Sequence, residues 1–179
     1  MAFRIKIENV VASTSLNIRI ALDKIVAKIE NVEYEPDQFP GLVMRIKEPK
    51  AAALIFSSGK IVCTGAKSPK DAKFAISRIV KKIAKAGMRV PRNYKVQLEN
   101  IVASAKLETE INLDKIAFSM ENTEYEPEQF PGLVYRMDDP KVTFLLFGSG
   151  KIICTGGRRI EDVKRAVEKI NKRLKSAKK

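Results

Sequence analysis

The sequence predicts an antiparallel α+β protein built twice over, on three observations. The first is a direct repeat. Ile7–Ser13 reads IENVVAS and Leu98–Ser104 reads LENIVAS, 91 residues later. Asn31–Lys50 (NVEYEPDQFPGLVMRIKEPK) returns as Asn122–Lys141 (NTEYEPEQFPGLVYRMDDPK), with 14 of 20 positions identical. Ala52–Gly65 (AALIFSSGKIVCTG) returns as Thr143–Gly156 (TFLLFGSGKIICTG), with 9 of 14 identical. The offset is constant, so the halves, residues 1–91 and 92–179, align without a gap from residue 7 to about 83. Two copies imply two similar units related by a pseudo-two-fold axis and are too few for a solenoid. The second observation is a series of short β-rich runs separated by turn residues. The third is two helical stripes per half, the last at its end.

The elements follow in order. Phe3–Thr14 is extended and rich in β-branched residues, hence a strand. Leu22, Ile25, Val26 and Ile29 recur at helical spacing, as do Leu113, Ile116, Ala117 and Met120. Asn112 is a good N-cap for the second of these helices, and Ala21 is a poorer cap for the first. Short strands are expected around Tyr34 and at Leu42–Ile46, Ala52–Phe56 and Lys60–Thr64, separated by Pro36, Pro40-Gly41, Pro49 and Ser57-Ser58-Gly59. A longer helix starts with Ser68 as cap and Pro69 at its first position, with Asp71 near its amide end. Its stripe is Ala72, Ala75, Ile76, Ile79, Val80 and Ile83, and Gly87 stops it. The second copy stripes Val163, Ala166, Val167, Ile170 and Leu174. Each half therefore reads β-α-β-β-β-β-α.

Composition narrows the function. The chain has no histidine, which removes His-based acid–base catalysis and every His-ligated metal site. Its two cysteines exclude a disulfide-stapled scaffold. No apolar run approaches bilayer length, and Met1–Lys6 lacks a signal-peptide core. The net charge of +13 points to a polyanion, nucleic acid before an acidic membrane surface. The first half carries 17 basic and 8 acidic side chains and the second 17 and 13.

Strand alternation places Ala52, Leu54 and Phe56 on one face and Ala53 and Ile55 on the other. Val62 and Thr64 likewise oppose Ile61 and Cys63, and Asn9 and Val11 oppose Val10 and Ala12. Both faces are largely apolar, yet two helices per half suffice to cover one. Either the halves sandwich face to face or one apolar face awaits a partner. The polar residues favour the second arrangement. The face with Val11, Leu54, Phe56 and Val62 also carries Asn9 and Thr64; its copy carries Asn100, Val102, Leu145, Phe147, Ile153 and Thr155. Arg45, Lys60, Arg136 and Lys151 flank it. Short hydrogen-bonding groups do not suit a dry core. They suit the DNA minor groove, with its acceptors at adenine N3 and thymine O2. Cys63 and Cys154 fall on the opposite face and read as small buried hydrophobes.

The paired YEPxQFPGLVxR and SGKIxCTG blocks closely resemble the TATA-box-binding proteins of archaeal and eukaryotic transcription, over almost the whole chain. The short N-terminus resembles the archaeal form. That resemblance implies a saddle, a curved ten-stranded antiparallel sheet with four helices on its convex face, formed continuously by the two repeats. It implies a general transcription factor, not an enzyme, with no cofactor and no metal. It implies that Phe39 with Phe56, and Phe130 with Phe147, are pairs that wedge into base steps and kink the DNA, a mechanism for which this family is itself a standard example. Asn9 and Asn100 resemble its central minor-groove donors, with Thr64 and Thr155 beside them. Val11, Val102, Leu54, Leu145, Val62 and Ile153 would line the groove. Arg45, Arg136, Lys60 and Lys151 would contact phosphates, joined by Ser58, Ser149, Lys67 and Arg158. Glu124, Glu126 and Glu128 resemble the loop that receives transcription factor B, through which RNA polymerase is reached; Glu33, Glu35 and Asp37 are their counterparts in the first half. The protein is expected as a monomer on promoter DNA, with a dimer possible when free, in the archaeal cytoplasm at the nucleoid, or in a eukaryotic nucleus.

One departure stands out. Pro follows the first ring in both halves, as Pro40 and Pro131, where many eukaryotic relatives carry a smaller residue in the first half. A nearly symmetric surface is expected to discriminate poorly between orientations on the element, leaving polarity to a partner. Two other classes stand beside this reading. One is a single-stranded RNA platform with stacking aromatics, separable by duplex against single-strand competition. The other is a duplicated ligand-binding enzyme using Glu8 and Glu99, around which no further catalytic chemistry gathers.

Overall fold

The computed structural model describes residues 4–177. The first strand, β1 (Ile5–Ser15), leads into α1 (Leu22–Lys28), then β2 (Val32–Glu33), β3 (Leu42–Lys47), β4 (Lys50–Ile55), β5 (Lys60–Ala66) and α2 (Pro69–Lys85). The order returns as β6 (Gln97–Lys106), α3 (Leu113–Ser119), β7 (Thr123–Glu124), β8 (Leu133–Met137), β9 (Val142–Leu146), β10 (Lys151–Gly157) and α4 (Ile160–Ala177). Ten antiparallel strands and four helices in two tandem copies match the predicted α+β class.

The chain divides into two compact units. One is Asn9–Glu99; the other is the chain from Asn100 onward together with residues up to Glu8. In the first unit the hydrogen-bonded order is β2-β3-β4-β5-β1, and in the second it is β6-β10-β9-β8-β7.

Local chemistry explains the element ends. Ser68 Oγ accepts from the Asp71 amide at 3.0 Å, with Pro69 at the first helical position. Gly87, at φ +104°, takes the left-handed turn that follows the Ala86 cap. Asn112 Oδ1 accepts from the Lys115 amide at 3.1 Å, whereas Ala21 offers α1 no side-chain cap. A cap of this kind is worth about 1 kcal/mol.

The structure corrects four details. Tyr34 lies outside the edge strand, which is only Val32–Glu33; Pro36 and a turn in which Glu35 O accepts from the Gln38 and Phe39 amides take over the backbone there. Val26 is 46% exposed, because two-turn α1 needs only Leu22 and Ile25 to reach the core. Strand β4 begins at Lys50 and ends at Ile55, so Phe56 belongs to the following hairpin loop. The first strand starts at Ile5, and Phe3 lies outside the described residues.

The core sits on one face of each unit. Leu42, Met44, Ala53, Ile55, Ile61 and Cys63 are buried on the side where α2 packs against β3, β4 and β5. Every residue of the predicted α2 stripe is buried with them. In the second unit Leu133, Tyr135, Phe144, Leu146, Ile152 and Cys154 are buried on the side where α4 packs against β10. Burying each large aliphatic side chain contributes about 1.5–3 kcal/mol, so the helix-covered face holds most of the folding energy.

Candidate nucleic-acid interface

The other face is left open. In the first unit Asn9, Val11, Leu54, Phe56, Val62 and Thr64 are all half-buried, while their immediate neighbours Val10, Ala12, Ala53, Ile55, Ile61 and Cys63 are fully buried. In the second, Asn100, Val102, Leu145, Phe147, Ile153 and Thr155 are half-buried in the same way. Register explains the grouping: Leu54 pairs with both Val43 and Val62, and Leu145 with Val134 and Ile153. The ambiguity left by two apolar faces is thus resolved within each unit: helices cover one face only.

The rings stand at the β4–β5 and β9–β10 hairpin ends. Phe39 and Phe56 meet edge to face with centroids 5.9 Å apart and planes at 66°. Phe130 and Phe147 repeat this at 5.9 Å and 70°. Phe39 and Phe130 remain 43% and 42% exposed. Gly41 and Gly132 make room for them. A Cβ on Gly41 would lie 2.7 Å from Phe39 Cε2 and 2.9 Å from Phe56 Cε1; on Gly132 the distances are 2.7 and 3.0 Å.

Each asparagine is oriented by a β-bulge. Val10 pairs with Ala66 and Ala12 with Cys63, so β5 carries one extra residue against β1. Gly65 there has φ +104°, a conformation in which a Cβ is strained. Its amide donates to Asn9 Oδ1 at 2.7 Å, and Asn9 Nδ2 donates to Thr64 Oγ1 at 3.0 Å. In the second unit Gly156 donates to Asn100 Oδ1 at 2.6 Å, and Asn100 Nδ2 to Thr155 Oγ1 at 3.1 Å. A backbone N–H can only donate, so the atom facing it must be the carboxamide oxygen. The NH₂ group is thereby fixed toward the threonine side, with a second N–H available beyond the one the threonine accepts.

The rim is cationic but partly neutralised. Arg45 bonds Glu33 at 3.0 Å and Arg136 bonds Glu124 at 2.8 Å, with all four side chains more than half exposed. Such pairs are worth under about 1 kcal/mol, so an arriving phosphate can take the arginine. Glu124, expected to face a partner, is therefore engaged with Arg136 in the free protein, while Glu126 and Glu128 lie exposed in the turn leading to Phe130. Lys60 and Lys151 are exposed at the starts of β5 and β10, and Lys60 Nζ reaches Ser13 Oγ at 3.5 Å. Ser58, Ser149, Lys67 and Arg158 are exposed. Ser13 and Ser104 donate to the carboxylates of Glu99 and Glu8 at 2.7 and 2.8 Å. Those two glutamates thus have structural partners.

The sequence reading placed Ala52 on this face without counting it among the contacts and missed Val43, Val134 and Thr143, which complete the open face. Counting back by twos from Leu54 and Leu145 reaches Ala52 and Thr143, whereas Val43 and Val134 join them only through the register of β3 with β4 and of β8 with β9. Burial pushes the Cys63 thiol up to about 11 and that of Cys154 to about 12, as expected of small buried side chains. Among the described residues no cluster of three His, Cys, Asp or Glu side chains is placed to hold a metal, and no helix is long and apolar enough to cross a membrane.

A twice-built α+β unit with an uncovered, ring-edged sheet face defines a binding protein. The family model described as transcription factor TFIID (or TATA-binding protein, TBP) matches residues 4–86 and 95–177. The chain belongs to that family, which consists of DNA-binding transcription factors and not of enzymes. It is 55% identical over 176 residues to the TATA-box-binding protein of Archaeoglobus fulgidus, covering 97% of this chain and 96% of the relative. It is also 55% identical over 170 residues to that of Methanothermobacter thermautotrophicus, covering 95% and 94%. The solved structure of Methanococcus jannaschii TBP superposes with a TM-score of 0.90 at 54% identity, covering 97% of this chain and 99% of that one.

Proposed function

We propose that this chain is a general transcription factor that binds the minor groove of the TATA-box promoter element and kinks it with two phenylalanine pairs. The observation that carries the reading is the uncovered face, found in both units with a ring pair at its edge, one ring of each exposed, and asparagine donors locked by a bulge. Phe39 with Phe56 and Phe130 with Phe147 unstack base steps, which costs least at pyrimidine–purine steps such as TA. The carboxamides of Asn9 and Asn100 donate to groove acceptors. Val11, Val102, Leu54, Leu145, Val62 and Ile153 pack on sugar and base edges, beside Thr64 and Thr155. Arg45, Arg136, Lys60 and Lys151 hold phosphates.

The two repeats, residues 1–91 and 92–179, both act on the same duplex. The protein works as a monomer there, at the nucleoid of an archaeal cell. Exposed Glu126 and Glu128, with Glu124, receive a basic surface of transcription factor B and so recruit RNA polymerase.

The test is end-to-end fluorescence transfer on a TATA duplex, with affinity measured across a salt series. Binding is expected to shorten the duplex, and log affinity to fall against log salt with a slope of about −0.9 per neutralised phosphate. Phe130→Ala with Phe147→Ala is expected to reduce bending and to cut affinity at least tenfold. Normal bending by that double variant would contradict the wedge assignment.

A further inference from the structure

Among the half-buried residues of the two open faces, one position changes hydrogen-bonding chemistry between the units. Asn9 and Asn100, Val11 and Val102, Val43 and Val134, Leu54 and Leu145, Thr64 and Thr155 correspond at the 91-residue offset. Val62 against Ile153 differs by one methylene, which alters bulk alone. Ala52 against Thr143 replaces a methyl with a hydroxyl. Strand register places Ala52 between Arg45 and Thr64, and Thr143 between Arg136 and Thr155, in the middle of the face.

The Thr143 hydroxyl is uncommitted. Thr64 and Thr155 are occupied with Asn9 and Asn100. Ser13 and Ser104 are bonded to Glu99 and Glu8, and Ser15 to Asn17. Thr143 is half-buried on the open face and has no hydrogen-bond partner among the described residues. A hydroxyl carries a donor and two lone pairs.

Minor-groove chemistry says what that hydroxyl can recognise. A·T and T·A pairs present acceptors alone, whereas a G·C pair adds the guanine N2 amine, a donor standing in the groove. Against Ala52, Leu54 and Val62 that amine would lose water and gain no acceptor, a penalty of the kind paid by any buried unpaired donor. Against Thr143 it meets an oxygen.

We infer that Thr143 makes the second repeat tolerant of a G·C pair in the half-site it covers, while Ala52 holds the first repeat to A·T pairs. This inference rests on the minor-groove reading above. It also gives a nearly symmetric protein one chemical handle by which an asymmetric promoter can fix its orientation.

The experiment is an anisotropy titration against a TATA duplex, against duplexes carrying one G·C pair at each successive position, and against the same set with inosine·C. Inosine lacks the N2 amine and otherwise presents the A·T-like groove, so it isolates that group. Thr143→Val keeps the shape of the side chain and removes the hydroxyl. The native protein is expected to accept G·C in one half-site and reject it in the other. Thr143→Val is expected to weaken the tolerated G·C duplex about tenfold, the loss of one good groove contact. The deciding quantity is the ratio: any loss on the TATA and inosine duplexes should be at least about fivefold smaller than the loss on the G·C duplex. Ala52→Thr is expected to extend tolerance to the other half-site. An unchanged G·C penalty in Thr143→Val, with normal TATA binding, would overturn this inference alone. A native protein that does not prefer the TATA duplex to a scrambled one would overturn the minor-groove reading as well.

Discussion

Both faces of the strands carry large aliphatic side chains, and the structure treats them oppositely. Ile55 is fully buried beneath helices, while its neighbours Leu54 and Phe56 are half-exposed. Amphipathic patterning alone cannot separate them. What separates them is the company each keeps: the covered face holds aliphatics, alanines and cysteines, and the open face mixes aliphatics with Asn9, Thr64, Arg45 and Lys60. A hydrophobic surface that retains hydrogen-bonding groups is one that a polar ligand completes.

That comparison can be broken by substitution on either side. Phe144 is wholly buried and stacks on Tyr135 at a centroid distance of 6.5 Å. Phe144→Ala is expected to cost about 3–5 kcal/mol in urea unfolding, the largest effect in the molecule. The Phe130→Ala, Phe147→Ala pair removes two rings from the open face and should cost less than half as much stability, while abolishing most of the bending. Equal destabilisation by the two would erase the distinction between the faces.

Gly41→Ala sharpens it further. The three atoms nearest its methyl are all ring carbons of Phe39 and Phe56, so the rings must shift while the core stays. Unfolding is expected to move by less than about 1 kcal/mol, the range of substitutions outside the core, with a measurable loss of bending in the fluorescence assay. Unchanged bending would show that ring placement is not critical.

The smallest effect belongs to the thiols. Cys63 and Cys154 are raised to about 11 and about 12 by burial, so both stay protonated in the folded state. An unfolded thiol ionises near its ordinary pKa of about 8.5. Folding therefore keeps this contribution in full below that value and loses it as pH rises toward the folded pKa. Thiol labelling at pH 8 is expected to proceed only at the rate of unfolding, and stability to decline from about pH 9 upward. Rapid labelling of the native protein would contradict the burial.

Much of this was legible in the sequence. The duplication, the long helices and the caps at Ser68 and Asn112 follow from local rules. The half-exposed set from Asn9 to Thr155 followed from strand alternation once polar residues were counted with apolar ones. What escaped was long-range geometry. The link from Gly65 to Asn9 spans 56 residues, and a glycine in a strand does not announce which side chain its amide will orient. The pairing of Arg136 with Glu124 depends on strand register, which no single segment encodes. Thr143 was hidden because alignment of the halves draws the eye to identities, and its meaning lies in a difference.

The central claim is tested most directly by asking what the open face touches. Cysteine placed at Leu54 and at Leu145, and a control at Phe118, which is 95% exposed on α3, can be labelled with maleimide while the native thiols stay buried. All three should react in the free protein, and a TATA duplex should protect the cysteines at 54 and 145 but not the one at 118. Equal reactivity at 54 and 145 with and without bound duplex would show that DNA sits elsewhere.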